Sequence, residues 1–317
     1  MGINLHGYQA TISDSFALEG IGVHNGKPVR ADFHPADPDT GIVFHHTDAS
    51  DRVREFRAHA SEIGATDLCT SLGDPRGAHV ATIEHLMAAL SALRIDNCII
   101  EINEMEVPVL DGSAAMFVDA IRTAGRIEQA AKRRYIRVTK PVRIEIGGSW
   151  AEFHPYHGTR FEIEIDFEAP IIGRQKFCAD ITPDVFSEEI SKARTFGFMK
   201  DVERLWAMGY ALGASLENTL VVGEDNTIIN PEGMRYADEF VRHKTLDAMG
   251  DLALAGAQFI GCFRSYRGGH RLNAAALQAL LSDKSAFEIV ETVQPRARGR
   301  QAELIAVNAP VYAPWAL

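Results

Sequence analysis

The sequence has no cysteines close enough together to suggest a disulfide framework or a metal knuckle. Cys69, Cys98, Cys178 and Cys262 are scattered, with no C-x-x-C spacing. The expectation is four reduced, mostly buried thiols in a cytoplasmic protein. No run approaches the ~18 consecutive apolar residues that a membrane-spanning helix needs. The N-terminus, MGINLHGYQATISDS, lacks a basic region followed by an apolar core. Neither a transmembrane segment nor a signal peptide is expected. Positive charge is also scarce: 32 Lys+Arg against 43 Asp+Glu give a formal net charge of -11. The one basic stretch, Lys132-Arg133-Arg134, is too short to grip a phosphate backbone, so nucleic acid is not an expected partner. Low-complexity segments and short-period repeats are absent as well.

What is present is ordinary globular material. Hydrophobic residues make up 46% and charged residues 24% of 317 positions, enough for a sizeable core and more than one domain usually holds. Gly20, Gly22 and Gly26 punctuate LEGIGVHNGKPVRADFHPA into short alternating segments that read as strands and turns. HVATIEHLMAALSALRIDN switches to helical period, with Ile83, Leu86, Met87, Leu90 and Leu93 on one face. CIIEIN follows as a strand, and a second helix is predicted over roughly 113–125. The strand-like RRYIRVTKPVRIEI marks a restart, which sets a domain boundary between 131 and 132. The second half predicts strands at AEFHPY and FEIEIDFEA, a helix near 183–194 and an irregular stretch up to 222. A long helix over 238–255, the strand QFIGCFRSY, a helix near 273–281 and a closing strand complete it. The fold class is therefore α+β: two domains, 1–131 and 132–317, of similar sheet-and-helix plan.

Three clusters of residues could carry chemistry. In EFVRHKTLDAMGDLALAG, His243, Asp247 and Asp251 stand at i, i+4 and i+8, forming one polar stripe. Val241, Leu246, Met249 and Leu252 fill the opposite face, with Phe240 and Leu254 bounding the stripe. A helix apolar nearly all round is buried, and burying these groups costs several kcal/mol unless they are paired or bind a metal. Taken alone, the stripe could equally be a solvated edge with a His–Asp helix pair. Glu84-His85 lies away from the apolar arc of its helix and alone would be an ordinary exposed pair. Combined with His243 and Asp247, His85 completes two imidazoles and one carboxylate, a common set for catalytic zinc. Such an ion makes hydroxide available near neutral pH, and Glu84 beside it could take a proton. The third cluster is SYRGGHRLN, where Gly268-Gly269 would let a turn place His270. Asp251 paired with His270 would raise the imidazole pKa and suit a general acid. Lys244 could add positive charge near a developing oxyanion.

These residues sit in segments that resemble a known family. TIEHLMAALSALRIDN, EVPVLDGSAAMFV, ARTFGFM, RYADEFVRHKTLDAMGDLALAG and GGHRLN are similar, in this order, to motifs of the bacterial UDP-3-O-acyl-N-acetylglucosamine deacetylases. The likeness runs from about residue 20 to about 281. It implies a zinc amidohydrolase that removes acetate from an acylated UDP-amino sugar in lipid A synthesis. It also implies zinc ligands at His85, His243 and Asp247, a general base at Glu84, and a catalytic histidine at His270 supported by Asp251. Lys244 matches an active-site lysine, and Thr195 matches a threonine that bonds the oxygen of the tetrahedral intermediate. Phe196 and His24 match residues that line the site, and Cys69 a cysteine near the metal. The family fold places the site between two α+β domains. An insertion, here about 197–222, forms an apolar passage for the fatty chain, with Met199, Val202, Leu212 and Leu216 among its expected walls. Residues up to 13 and after about 282 match the family less well. Trp206 and Tyr210 are bulky for such a passage.

The expectation is thus a cytoplasmic, monomeric enzyme holding Zn2+, with Fe2+ also satisfying the ligand set. Another zinc amidohydrolase would keep the ligands without needing the passage. A catalytically silent zinc or lipid-binding module would need neither Glu84 nor His270.

Overall fold

The computed structural model describes residues 7–47, 52–293 and 303–306. In the N-terminal half a five-stranded sheet runs in the order Phe16–Ile21, Pro28–Pro35, Cys98–Ile102, Ile42–Thr47, Val53–Arg57. Neighbours are antiparallel except Ile42–Thr47 with Cys98–Ile102, which run parallel. Alternation assigns its faces: in Pro28–Pro35, Val29, Ala31 and Phe33 are buried while Arg30 is exposed. Helices α1 (Glu84–Ala92) and α2 (Ala115–Ala124) share one continuous apolar core with the buried face of this sheet. In α2, Phe117, Val118, Ile121 and Ala124 form the buried stripe. The helix stops at Gly125, whose φ of 78° is the left-handed conformation glycine takes without penalty.

The second half is built around the strand Gln258–Tyr266. It pairs in parallel with Arg134–Val138 and Thr159–Asp166, and antiparallel with Ser149–His154. Further strands at Val142–Ile146, Arg174–Asp180, Phe287–Val293 and Glu303–Ala306 complete an eight-stranded sheet. The expected helix near 183–194 is shorter than its sequence suggests. Thr182 caps α3 (Pro183–Val185) through its hydroxyl, and the chain widens into a π turn at Phe186–Ile190 before leaving helical geometry. Phe196–Phe198 and Leu220–Val222 then form a small parallel pair that closes off the segment carrying α4 (Val202–Ala207). Helices α5 (Glu239–Ala253) and α6 (His270–Ser282) follow. Among the described residues, no helix is long and apolar enough to cross a membrane.

Two junctions tie the halves. The strand Arg126–Lys132 returns to pair with Tyr8–Ile12. The next residue, Arg133, is buried with its Nε 2.9 Å from Asp96 Oδ1 and its Nη2 2.8 Å from the Arg94 carbonyl oxygen. The second junction is the crossing of α1 and α5. A Cβ built on Gly250 would lie 1.9 Å from the Glu84 carbonyl oxygen, so only glycine lets the two backbones approach this closely. That crossing explains why α1 is buried almost all round, Glu84 and His85 included. The side of α1 away from its own sheet faces α5 rather than water.

Candidate metal centre

The crossing brings His85 on α1 against His243 and Asp247 on α5. One ligand atom from each of these three buried side chains can be chosen so that all lie within 4.8 Å of one another. Asp247 Oδ1 is 3.3 Å from His243 Nε2 and 3.6 Å from His85 Nε2. The two imidazole rings meet edge-on, with centroids 5.0 Å apart. Asp247 Oδ1 is buried and has no hydrogen-bond partner among the described residues, an arrangement folded chains rarely leave without a reason. Its other oxygen accepts from Lys244 Nζ at 2.8 Å. His243 Nδ1 donates to the Ala193 carbonyl at 3.1 Å, which turns the lone pair of Nε2 toward Asp247. Burial holds the His243 pKa down at about 3, so the ring is neutral and able to ligate. Burial alone would raise the Asp247 carboxyl, but His243, Lys244, His85 and His270 outweigh it and hold it well below its ordinary value. Two imidazoles, that of His243 neutral, beside a carboxylate with one orphaned oxygen fit a divalent cation of zinc's class.

Two proton-handling groups flank the cluster. Glu84 is buried; the Thr70 amide donates to its Oε2 at 3.1 Å, and its Oε1 lies 3.8 Å from His270 Nε2. Burial raises its pKa, against the pull of His270 and His85. His270 is not in a turn. It is the first residue of α6, and the Gly269 before it is plainly extended, with φ of -176°. What Gly268 supplies is room, since a Cβ there would meet Ser265 Oγ at 3.0 Å. His270 Nδ1 is 3.0 Å from Asp251 Oδ2. Burial would lower its pKa, but Asp251 and Glu84 overcome this and push it up to about 9. Asp251 accepts two more bonds, from Thr70 Oγ1 at 2.6 Å and from Asn273 Nδ2 at 2.8 Å. Neither Thr70 nor Asn273 was singled out in the sequence. Asn273 stands at i+3 from His270, a spacing that puts them on one face. Thr70 is 181 positions from its partner and carries no sequence signal.

A family model described as UDP-3-O-acyl N-acetylglycosamine deacetylase matches residues 9–282. Proteins named UDP-3-O-acyl-N-acetylglucosamine deacetylase from Brucella ovis and Brucella suis are 62% identical to this chain over 287 residues, covering 90% of it and 100% of theirs. One of the same name from Brucella melitensis is 61% identical over the same shares. The chain belongs to this deacetylase family.

In this family member a cavity of about 360 Å³ opens from the cluster, and Glu84 and His85 form part of its wall. His24, Thr195, Phe196, Met199, Val202 and Leu216 also line it. Leu212 does not. It is 54% exposed, and its backbone packs against Gly26 instead, while Leu205 and Ala214 supply apolar wall that the sequence reading left out. Phe196 stands edge-on to Phe240 at 4.9 Å, which fixes one wall of the cavity to α5. Lys244 Nζ lies 5.7 Å above the Phe196 ring. Its ammonium pairs with Asp247, and that pairing raises its pKa against burial. His24 sits on a loop gripped by the buried Glu106, which accepts from the His24 and Asn25 amides and the Thr82 hydroxyl, each at 2.9 Å. Cys69 is buried, and burial with Glu84 nearby pushes its thiol pKa far up. It therefore stays protonated, unlike a metal-ligating thiolate. Tyr210 lines a separate basin of about 590 Å³ on the His270 side, together with Arg204, Arg267 and Arg271.

Proposed function

We propose that this protein hydrolyses the N-acetyl group of UDP-3-O-(3-hydroxyacyl)-N-acetylglucosamine. The products are acetate and UDP-3-O-acyl-glucosamine, at the committed step of lipid A synthesis. The observation that carries the reading is the convergence of His85, His243 and Asp247, with Glu84 and His270 side by side next to them and a largely apolar cavity alongside. In this reading the protein works as a monomer in the cytoplasm.

His85, His243 and Asp247 hold the metal, zinc by donor type, with iron(II) accepting the same set. Such an ion supplies Lewis-acid polarisation of the acetamide carbonyl and makes hydroxide available near neutral pH. Glu84 Oε1, the oxygen facing His270, takes the proton of the attacking water. Burial has already raised its proton affinity. The Thr195 hydroxyl donates to the oxygen of the tetrahedral carbon. His270, kept cationic by Asp251, delivers a proton to the departing amine as the C–N bond breaks. The fatty chain is not cut. Seated in the cavity, it contributes remote binding energy that holds the acetamide in place.

The test is acetate release from the acylated UDP-sugar by purified protein as isolated, after chelation, and after one equivalent of zinc is restored. Activity that disappears and returns is the expected result. A folded, zinc-loaded protein with no turnover would move the reading to another acylated amine.

A further inference from the structure

Thr70 belongs to no helix or strand, and its side chain is 1% exposed. Its three polar groups are all committed. The carbonyl accepts from the Ile83 amide at 3.3 Å, just before α1 begins. The amide donates to Glu84 Oε2 at 3.1 Å, and the hydroxyl donates to Asp251 Oδ1 at 2.6 Å. Ionised carboxylates only accept, so both of these bonds run outward from Thr70. One residue therefore grips a carboxylate on α1 and another on α5. Each grip takes one oxygen of its carboxylate. With Oε2 of Glu84 occupied, Oε1 is the atom that faces His270 Nε2 at 3.8 Å. His270 Nδ1 lies over both oxygens of Asp251, 3.3 Å from the Oδ1 that Thr70 holds and 3.0 Å from Oδ2, and Asn273 Nδ2 donates to Oδ2 at 2.8 Å.

From this geometry we infer that Thr70 is a positioning residue for the reaction: it sets the separation between the proton acceptor Glu84 and the proton donor His270 by holding Asp251 and Glu84 to a common point. The inference rests on the roles proposed above for Glu84 and His270. Thr70 touches neither substrate nor ligand set and acts only through the two carboxylates.

The test is steady-state kinetics on the acylated UDP-sugar with Thr70→Val and Thr70→Ser, both zinc-loaded and checked by thermal melting. Val keeps the branched shape and the amide bond to Glu84 but removes the hydroxyl. The expected result is a kcat lower by about 10- to 100-fold in Thr70→Val, as for other outer partners of a catalytic group. KM should stay unchanged, and Thr70→Ser should be near wild-type. In an Asp251→Ala background, Thr70→Val should cost nothing further, because both changes break the same link. If the Val variant folds poorly, Thr70→Ala reads the same quantity. Wild-type kcat in the folded Val or Ala variant overturns the inference, as does a loss that is additive with Asp251→Ala. Glu84→Gln is measured alongside. A large loss there without one in Thr70→Val removes the Thr70 role alone, whereas no loss in either removes the base assignment beneath it.

Discussion

Glu84 Oε1 and His270 Nε2 face each other across 3.8 Å, the carboxylate from α1 and the imidazole from the start of α6. Their proton affinities are both raised, for different reasons. Burial raises Glu84, while the neighbouring carboxylates raise His270 against burial. One is thus suited to receive a proton and the other to give one.

If Glu84 is the base, Glu84→Gln should lower kcat by about 10²- to 10⁴-fold. Its zinc content should remain that of the wild type, since Glu84 is outside the ligand cluster. Asp247→Ala should instead lose the metal. Elemental analysis beside turnover separates the two, and metal loss in Glu84→Gln would contradict the assignment.

The raised His270 predicts the pH profile. The imidazolium exists below about 9, so kcat/KM should fall as pH rises toward that value, and a bound cation would bring the fall to lower pH. Asp251→Asn removes the largest charge holding the proton, so the falling limb should move down further. A limb that stays in place would exclude His270 as its source. The same shift bears on stability. A histidine raised in the folded state contributes fully below its unfolded value of about 6.5, and the contribution is lost as pH rises through about 9.

Arg194 and Glu239 are both fully buried, with Nε 2.9 Å from Oε1. The Arg194 amide also bonds Oε1 at 3.0 Å. This pair fixes the chain beside Thr195 to the first residue of α5. Arg194→Met leaves a buried carboxylate without its cation and should destabilise by about 3–5 kcal/mol in urea denaturation. A change under about 1 kcal/mol would mean the carboxylate finds other donors.

Gly250→Ala drives a methyl into the Glu84 carbonyl oxygen. Overpacking of this kind costs about 1–3 kcal/mol. Here it should also lower kcat, because the helices it separates carry His85 on one side and His243 and Asp247 on the other. A variant with lower stability and full kcat would show that the site tolerates the shift.

Val202→Trp should fill part of the apolar cavity. Turnover of the long-chain substrate should drop while a substrate with a short acyl group is spared. Equal loss for both would place the chain elsewhere.

Much of this was legible in the sequence. Gln258–Tyr266 is the strand expected from QFIGCFRSY, and the long helix predicted over 238–255 lies at Glu239–Ala253. Both signals are local: β-branched and aromatic bias in one, a nearly continuous apolar face in the other. The cluster of His85, His243 and Asp247 was reached through spacing on α5 and through family likeness, since no local signal links α1 to α5. What stayed hidden depends on distant partners. The Arg194–Glu239 pair and the grip of Thr70 on Asp251 span 45 and 181 positions. Leu212, expected along the passage by family likeness, lies exposed and outside the cavity lining, because likeness names a segment and not which way each side chain turns. His270 was expected in a turn because two glycines precede it. One of them is merely extended, and the helix starts directly after it.

The Gly250–Glu84 contact has a thermodynamic side. The three candidate ligands come from both halves of the chain, so an ion held by them also ties the halves together, and its affinity becomes part of the free energy of their docking. Free zinc at about 100 times its Kd would add about 2.7 kcal/mol to folding. Removal of such an ion would then be read as a lower melting temperature as well as a lower rate.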